Sequence, residues 1–272
     1  MARPAPDSHD IIVWRLDESG PPFVNSGTLG SGADLVAQVG SVTPGRPAIW
    51  GNGVQFPGTT GNYLRTADTT LGEVSPISMC AWVYPYGAGS GGMVAQKQIK
   101  TVAGGGSNTQ DGSITISMQG FSYYGWRQQP ILRRARPGTH DQRDVWLPDA
   151  PIQFSTYSQW YLLSGSYWPN PTGYPSGIGL QEVFLNGMQA GFTTQDCTES
   201  INWGSHGPWI IGNTTVNSNY GFNGIIGEIR ISDVYRPPSY WRQYYIAGVP
   251  TLTCEELTLD PTKPRSMLPV EE

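Results

Sequence analysis

Arginine is concentrated in one stretch of this sequence. Five of the 16 basic residues lie between two tryptophans there, and the set of candidate contact residues is Trp126, Arg127, Arg133, Arg134, Arg136, Arg143 and Trp146. A guanidinium binds a carboxylate or phosphate through paired hydrogen bonds and stacks on aromatic faces. The stretch predicts contact with an acidic protein surface or an anionic polysaccharide. The alternative is a solvated loop whose arginines form local ion pairs.

A second stretch combines aromatic rings with prolines. Residues 167–175 contain three prolines, and the candidates for stacking on a sugar are Tyr167, Trp168, Tyr174 and Asn170. Flat aromatic rings beside an amide can stack on sugar rings or anchor a protein interface. The same rings could instead cap the hydrophobic core, and the sequence favours neither interpretation.

Short β-strands must position these residues. The chain has 35 Gly and 23 Pro among 272 residues, and only 14% of its residues are charged. Glycine and proline mark turns, so many turns between short apolar runs favour strands over helices. Asn186-Gly187 between two apolar runs predicts a tight hairpin. More than ten such runs predict a two-sheet antiparallel sandwich.

Neighbouring runs are expected to pair with each other. Residues 53–56 are predicted to pair with 63–66 across a Gly/Thr turn, and the central strand 77–84 with 92–97. One short helix is predicted at 240–247, where Pro237 and Pro238 precede the segment and Gly248 follows it.

The order of the runs carries a family resemblance. The matching segments are residues 14–18, 25–27, 53–56, 63–64, 77–84, 160–163, 183–187, 210–213 and 224–235. In this order they resemble the strands of laminin-G-like, concanavalin A-like lectin-glucanase domains, which implies a jelly-roll sandwich over about residues 10–248. Residues 1–9 would form an N-terminal arm and 249–272 an extended tail. The loops 104–151 and 167–179 are longer than the family requires.

The resemblance also implies function. Such domains bind glycans or proteins, often through a calcium ion at the rim, and frequently occur in phage and bacterial surface proteins. Their catalytic members carry a Glu-x-Asp-x-x-Glu strand that places two carboxylates across the scissile bond. This chain has no such strand, and Glu182 and Glu228 have no carboxylate two residues away. A non-catalytic protein is therefore predicted. Glycan hydrolysis would require carboxylates from distant loops.

Oxygen ligands near the first and last strands could hold calcium, which takes six to eight oxygens. The first and last strands commonly pair in this fold, so these side chains could converge. The candidate ligands are Asp17, Glu18, Asn25, Glu228 and Asp233. The alternative is that they are turn-forming residues and solvated edge charges.

The cysteines and the net charge limit the disulfides and the partners that this chain can have. Cys80 lies in an apolar run and is expected to be a buried free thiol, while a bridge between Cys197 and Cys254 stays open. The net charge of −5 argues against nucleic acid as a partner. No stretch approaches the roughly 20 apolar residues of a membrane span. No signal peptide is visible at the N-terminus.

These features together predict a bacteriophage virion component, either a head decoration protein or a tail- or fibre-associated one. It would be made in the host cytoplasm and would contact other virion proteins. The acidic tail 249–272 and the arginine stretch have opposite charge, which predicts contact between neighbouring copies in a homo-oligomer. The alternative is a free-standing carbohydrate-binding module or adhesin, secreted or on a bacterial cell surface, that binds cell-surface glycan.

Overall fold

Two antiparallel sheets make up most of the computed structural model. It describes residues 2–59, 61–67, 70–87, 92–98, 112–120, 128–135, 142–145, 158–169, 179–193, 201, 207–213 and 221–249. The all-β sandwich predicted from the sequence is confirmed. The described helix is also the predicted one, α1 (Pro238–Gly248).

Sheet A has eight strands. Seven follow the order β13 (Met188–Thr193), β12 (Leu180–Leu185), β11 (Tyr161–Trp168), β6 (Ile77–Pro85), β15 (Asn223–Ser232), β4 (Asn52–Pro57) and β3 (Thr43–Pro47). The eighth, β1 (Asp10–Trp14), pairs with β15, as expected for the first and last strands of this fold.

Sheet B has seven strands. Their order is β10 (Gln142–Val145), β9 (Gln128–Ala135), β8 (Gly112–Gly120), β7 (Gly92–Gln98), β14 (Trp209–Ile211), β5 (Tyr63–Thr66) and β2 (Leu35–Val39). The core between the sheets takes side chains from both, such as Val83 of β6 and Val94 of β7.

The predicted pairing of neighbouring strands is wrong in two places. β4 and β5 lie in different sheets, and so do β6 and β7. Each strand has an apolar face that packs across the core, so the chain crosses from one sheet to the other instead of folding back as a hairpin. The hairpin predicted at Asn186-Gly187 is confirmed, with φ of 54° and 75° at its two turn residues.

The outer face of sheet A is closed as well. Alternate residues of β6 point away from the main core, and Cys80 and Trp82 pack with Trp241 and Tyr244 of α1 in a second apolar cluster. Cys80 is buried and free, as expected, and burial raises the pKa of its thiol. The face that could have been open to solvent is thus covered by the helix.

Buried serines fasten the segment that leads into α1. Ser78 and Ser166 are cross-strand partners on β6 and β11. The Ser166 hydroxyl donates to the carbonyl of Arg236 at 2.8 Å, and the Arg236 amide donates to Ser78 Oγ at 2.8 Å. Trp241 Nε1 also donates to Ser166 Oγ, at 3.2 Å. The helix is therefore held to the sheet by polar contacts as well as by apolar packing.

Candidate binding groove

A junction of strands in sheet A creates the candidate site. β1 pairs with β15 from Ser232 to Ile229, and β4 pairs with β15 from Ile226 to Asn223. The end of β1 and the start of β4 therefore meet on the same side of β15. The register of β15 against β6 also shifts between Ile226 and Ile229, so the ladder is irregular at this point.

An open groove of about 520 Å³ lies at this junction. Its lining side chains and backbone come from three segments, and they include Arg3, Arg15, Asp17, Ile49, Trp50 and Gly51. The N-terminal arm, the segment after β1 and the turn before β4 each contribute to it. Pairing of distant strands is thus what assembles the groove.

An ion pair forms one side of the groove. Arg3 Nη1 lies 2.5 Å from Asp17 Oδ2, and the amide of Asn52 donates to Asp17 Oδ1 at 2.8 Å. Gly51 has a φ of 71°, and a Cβ there would lie 2.6 Å from Asp17 Oδ1. Only glycine can therefore occupy this turn while the carboxylate keeps its position.

Aromatic packing fixes Trp50 at the groove. Its ring meets those of Trp82 and Tyr244 edge to face, with 5.6 Å between ring centroids in each case. Edge-to-face contacts of this kind add to the stabilisation from burial. The Trp50 carbonyl accepts a hydrogen bond from Arg3, which ties the N-terminal arm to the same residue. The groove therefore has one rigid aromatic member beside the half-buried Ile49.

Arg15 differs from the other arginines near the groove. Its side chain is half-buried, its Nε is enclosed without a hydrogen-bond partner, and none of the described residues forms an ion pair with it. The next residue, Leu16, is fully buried in the core with a φ of 57°, a conformation that non-glycine residues rarely adopt. A strained, anchored leucine thus separates Arg15 from Asp17.

Buried charges beneath the groove form ion pairs with one another. Arg230 Nε lies 2.6 Å from Glu228 Oε1, and Arg3 Nε lies 3.2 Å from Glu228 Oε2. Tyr244 also donates its hydroxyl to Glu228. Burial lowers the pKa of Arg230, but Tyr244 and Glu228 raise it more, so the net shift is upward. Glu228 is therefore enclosed by donors at the base of the sheet.

Comparison with known proteins identifies the family of this chain. Residues 58–239, more than half of the chain, match the family model for laminin G domains described as the concanavalin A-like lectin/glucanases superfamily. The chain belongs to this family. A search of the curated proteins finds no match.

Several solved structures share the fold of this laminin-G-like chain. Domain 4 of AbnA, a GH43 extracellular arabinanase from Geobacillus stearothermophilus, was solved in complex with arabinotriose. It is 18% identical with a TM-score of 0.57, and the match covers 87% of this chain and 98% of that one. The shared length is therefore nearly the whole of that domain.

Toxin binding domains share it too. The botulinum neurotoxin type G receptor-binding domain is 10% identical with a TM-score of 0.53, and the binding domain of Paraclostridial Mosquitocidal Protein 1 is 10% identical with a TM-score of 0.54. These matches cover 88% of this chain but only 51% and 52% of the toxin chains. At such identities the likeness is one of fold.

The arginine stretch is only partly described. Arg133 and Arg134 lie on β9 and Arg143 on β10, where Arg143 is the cross-strand partner of Arg134. These two strands end sheet B, so the backbone brings three of the five arginines together at a sheet edge. Trp126, Arg127, Arg136 and Trp146 lie outside the described residues, as does the tail 249–272 beyond its first residue.

The aromatic stretch requires one correction. Tyr167 is fully buried in the core between the sheets, so no sugar can stack on its ring. It lies on β11, whose alternation turns it inward. Trp168, the next residue, is half-buried and packs on Tyr235 with 5.1 Å between ring centroids. Asn170 and Tyr174 lie outside the described residues.

The predicted calcium ligands do not converge. Asp17 and Glu228 are paired with arginines, and Asp233 Oδ1 lies 3.0 Å from His9 Nδ1. Asn25 Oδ1 accepts from the amide of Val13 at 2.7 Å, and Glu18 accepts from an amide in its own turn. In the part of the chain that the structure describes, no three His, Cys, Asp or Glu side chains are grouped as metal ligands. Asp17 and Glu228 balance arginines, Asn25 and Glu18 accept from backbone amides, and Asp233 faces His9.

Sequence reasoning missed most of the groove. Arg3 lies in an arm that shows no periodicity, and Trp50 precedes a glycine turn that resembles many others in the chain. Arg15 offered one signal, since it is a charge between the core residues Trp14 and Leu16. That signal alone does not identify a groove. Within the described ranges, no helix has the length and apolar character to cross a membrane.

Proposed function

We propose that this laminin-G-like domain is a non-catalytic module that binds a saccharide in the groove between the arm, β1 and β4. The observation that carries the proposal is the groove lining, where a carboxylate and an unpartnered guanidinium lie beside tryptophan and isoleucine. Ligand sites combine apolar walls with a few placed polar groups in this way. Asp17 can accept from hydroxyls and the half-buried Ile49 offers apolar contact, while the buried Trp50 anchors the turn before β4.

The fold relatives support a binding role. One is a domain solved with arabinotriose, and others are receptor-binding or binding domains of toxins. The toxin domains are named for binding, and the arabinanase domain was solved with a sugar. The groove gives the present chain a place where binding of the same general kind could occur.

The positions of the strand carboxylates support a non-catalytic role. Glu182 on β12 and Glu228 on β15 are three strand spacings apart in sheet A, or about 14 Å. Glycosidases place their two carboxyl groups about 5–9.5 Å apart. Glu182 is enclosed by Tyr235 and Gln189, and Glu228 by Arg230, Arg3 and Tyr244. These two groups are therefore poorly placed to act together on one bond.

Glycan-array screening followed by calorimetry tests the proposal. The purified chain should bind an oligosaccharide, and Asp17→Ala should weaken binding about tenfold, because a sugar hydroxyl loses a charged acceptor. Arg65→Ala is the matched control, since Arg65 is an exposed arginine on the other sheet. Failure to bind any oligosaccharide, or equal binding by the Asp17 variant, would contradict the groove proposal. Release of reducing ends from the bound glycan would contradict the non-catalytic role.

The virion role is a second candidate, favoured by the arginines at the edge of sheet B. The backbone register of β9 and β10 places Arg134 opposite Arg143, with Arg133 on the same edge of the sheet. An acidic partner surface, from another virion protein or a neighbouring copy, would complement this concentration of basic residues. Light scattering of the purified chain should then show self-association that is lost in Arg134→Ala/Arg143→Ala. A monomer that also fails to bind particles of a phage encoding it would exclude this role.

A further inference from the structure

Arg15 points to the chemical class of ligand that the groove takes. We infer that the bound saccharide carries a carboxylate, as a uronic acid does, and that Arg15 pairs with it. This inference rests on the proposed saccharide-binding function and specifies its substrate. It depends on the charge balance of the groove and on the contrast between Arg15 and its neighbours.

The neighbouring arginines already have carboxylate partners, which Arg15 lacks among the described residues. Arg3 is bound by Asp17, Glu228 and the carbonyl of Trp50. Arg230 is bound by Glu228, Asp10 and two carbonyls of the N-terminal arm. Both guanidinium groups already bind acceptors that hold the N-terminal arm against sheet A. Neither therefore has a free pair of N–H groups to donate to a ligand.

The guanidinium N–H groups of Arg15 have no acceptor among the described residues. A guanidinium carries five N–H donors, and none of the described residues accepts from any of Arg15's. The groove is lined by two arginines and one aspartate, and that aspartate is already paired with Arg3. Arg15 is thus a half-buried cation with no carboxylate partner among the described residues, which favours an anionic group on the ligand.

The backbone around Arg15 points the same way. Leu16 keeps a left-handed φ of 57° while its side chain is fully buried, which holds this segment in a strained conformation. Such strain persists only where the surrounding structure enforces it, and it concentrates at ligand sites. The strained residue lies between the free guanidinium and the carboxylate that line the same groove.

A carboxylate is the anion that this arrangement suits. It is planar and accepts two parallel hydrogen bonds from one guanidinium, and the remaining sugar hydroxyls could donate to Asp17. The adjoining half-buried Ile49 would contact the apolar face of the ring. A neutral sugar would leave the Arg15 charge without a counterpart.

The test compares an oligogalacturonate with its methyl ester, which differs only in charge and a methyl group. The wild-type chain should bind the acid about tenfold more tightly than the ester, because hydrogen bonds to charged groups are the stronger ones. Arg15→Ala should bind both equally weakly, and Arg15→Lys should keep part of the preference. Arg65→Ala, the exposed arginine control, should keep all of it.

The outcomes separate this inference from the proposal beneath it. Equal binding of acid and ester by the wild type, or a loss of the same factor for both in Arg15→Ala, overturns the carboxylate assignment and leaves saccharide binding standing. A preference for a sulfated heparin oligosaccharide over the uronate also overturns it. If no oligosaccharide binds, the proposed function itself fails. Circular dichroism and urea unfolding of each variant confirm that the fold is intact.

Discussion

Arg230 and Arg15 show how the same side chain serves two purposes in neighbouring regions. Arg230 lies beneath α1, where Glu228, Asp10 and arm carbonyls accept from it and its guanidinium lies 4.8 Å from the ring centroid of Tyr244. Arg15 lies in the open groove a short distance along the same sheet and has no described partner. The ion pairs of Arg230 hold the first region together and are called the structural lock below. The unpartnered donors of Arg15 are the feature on which the proposed binding at the second region rests.

The comparison implies that the two regions respond differently to substitution. Residues of the paired network should change stability with little effect on binding at saturating ligand. Groove side chains without a partner, as Arg15 is, should change binding with little effect on stability.

Arg230→Ala should destabilise the fold most. The change leaves Glu228 and Asp10 buried without their shared counter-ion, and breaking a buried ion pair costs about 3–5 kcal/mol. Urea unfolding followed by tryptophan fluorescence measures it. Arg65→Ala, on an exposed strand position, serves as the control and should shift the midpoint little. A loss below about 1 kcal/mol would show that the network is not the lock described here.

Gly51→Ala should affect both regions. A Cβ at a φ of 71° is strained and would lie 2.6 Å from Asp17 Oδ1, so the turn or the carboxylate must move. We expect a loss of about 1–3 kcal/mol in the free energy of unfolding, together with weaker saccharide binding. Gly45 has a similar φ of 75° with open space around it, so Gly45→Ala separates backbone strain from the clash. Equal binding by both variants would show that the position of Asp17 is unimportant.

Glu182 predicts a pH dependence of stability. Burial raises its pKa, although hydrogen bonds from Tyr235 and Gln189 act in the opposite direction. The folded state therefore holds the proton more tightly than the unfolded chain does. Stability should rise as pH falls from neutral through the raised pKa toward the ordinary range of a glutamate. Glu182→Gln, measured by thermal unfolding across this range, should lack that contribution. An identical pH profile in the variant would contradict the assignment.

Arg15→Ala should have the smallest effect on stability. The side chain has no described partner to lose, so we expect a change within about 0.5 kcal/mol by urea unfolding. Its effect on acid-sugar affinity should be large by comparison. A loss of stability as great as that of Arg230→Ala would remove the distinction between the two arginines.

Local residue patterns were enough to predict the strands, one tight turn and the class of fold. Period-two alternation identified the strands, and Asn186-Gly187 identified a hairpin, because both depend on residues close together in the chain. The order of the strand motifs indicated the family, which the match over residues 58–239 confirms. The burial of Cys80 followed from its apolar neighbours.

The sheet that each strand joins, and the strands it pairs with, became clear only from the three-dimensional structure. Whether β4 pairs with β5 or crosses to the other sheet depends on the whole core, since each apolar face fits either arrangement. The groove needs β1 and β4 to meet beside β15, which brings Arg3 and Arg15 to Trp50. Glu228 forms an ion pair with Arg3, although the two residues lie near opposite ends of the chain. Such contacts join residues that are far apart in the sequence. Local sequence patterns therefore cannot predict which charged side chains form ion pairs and which do not.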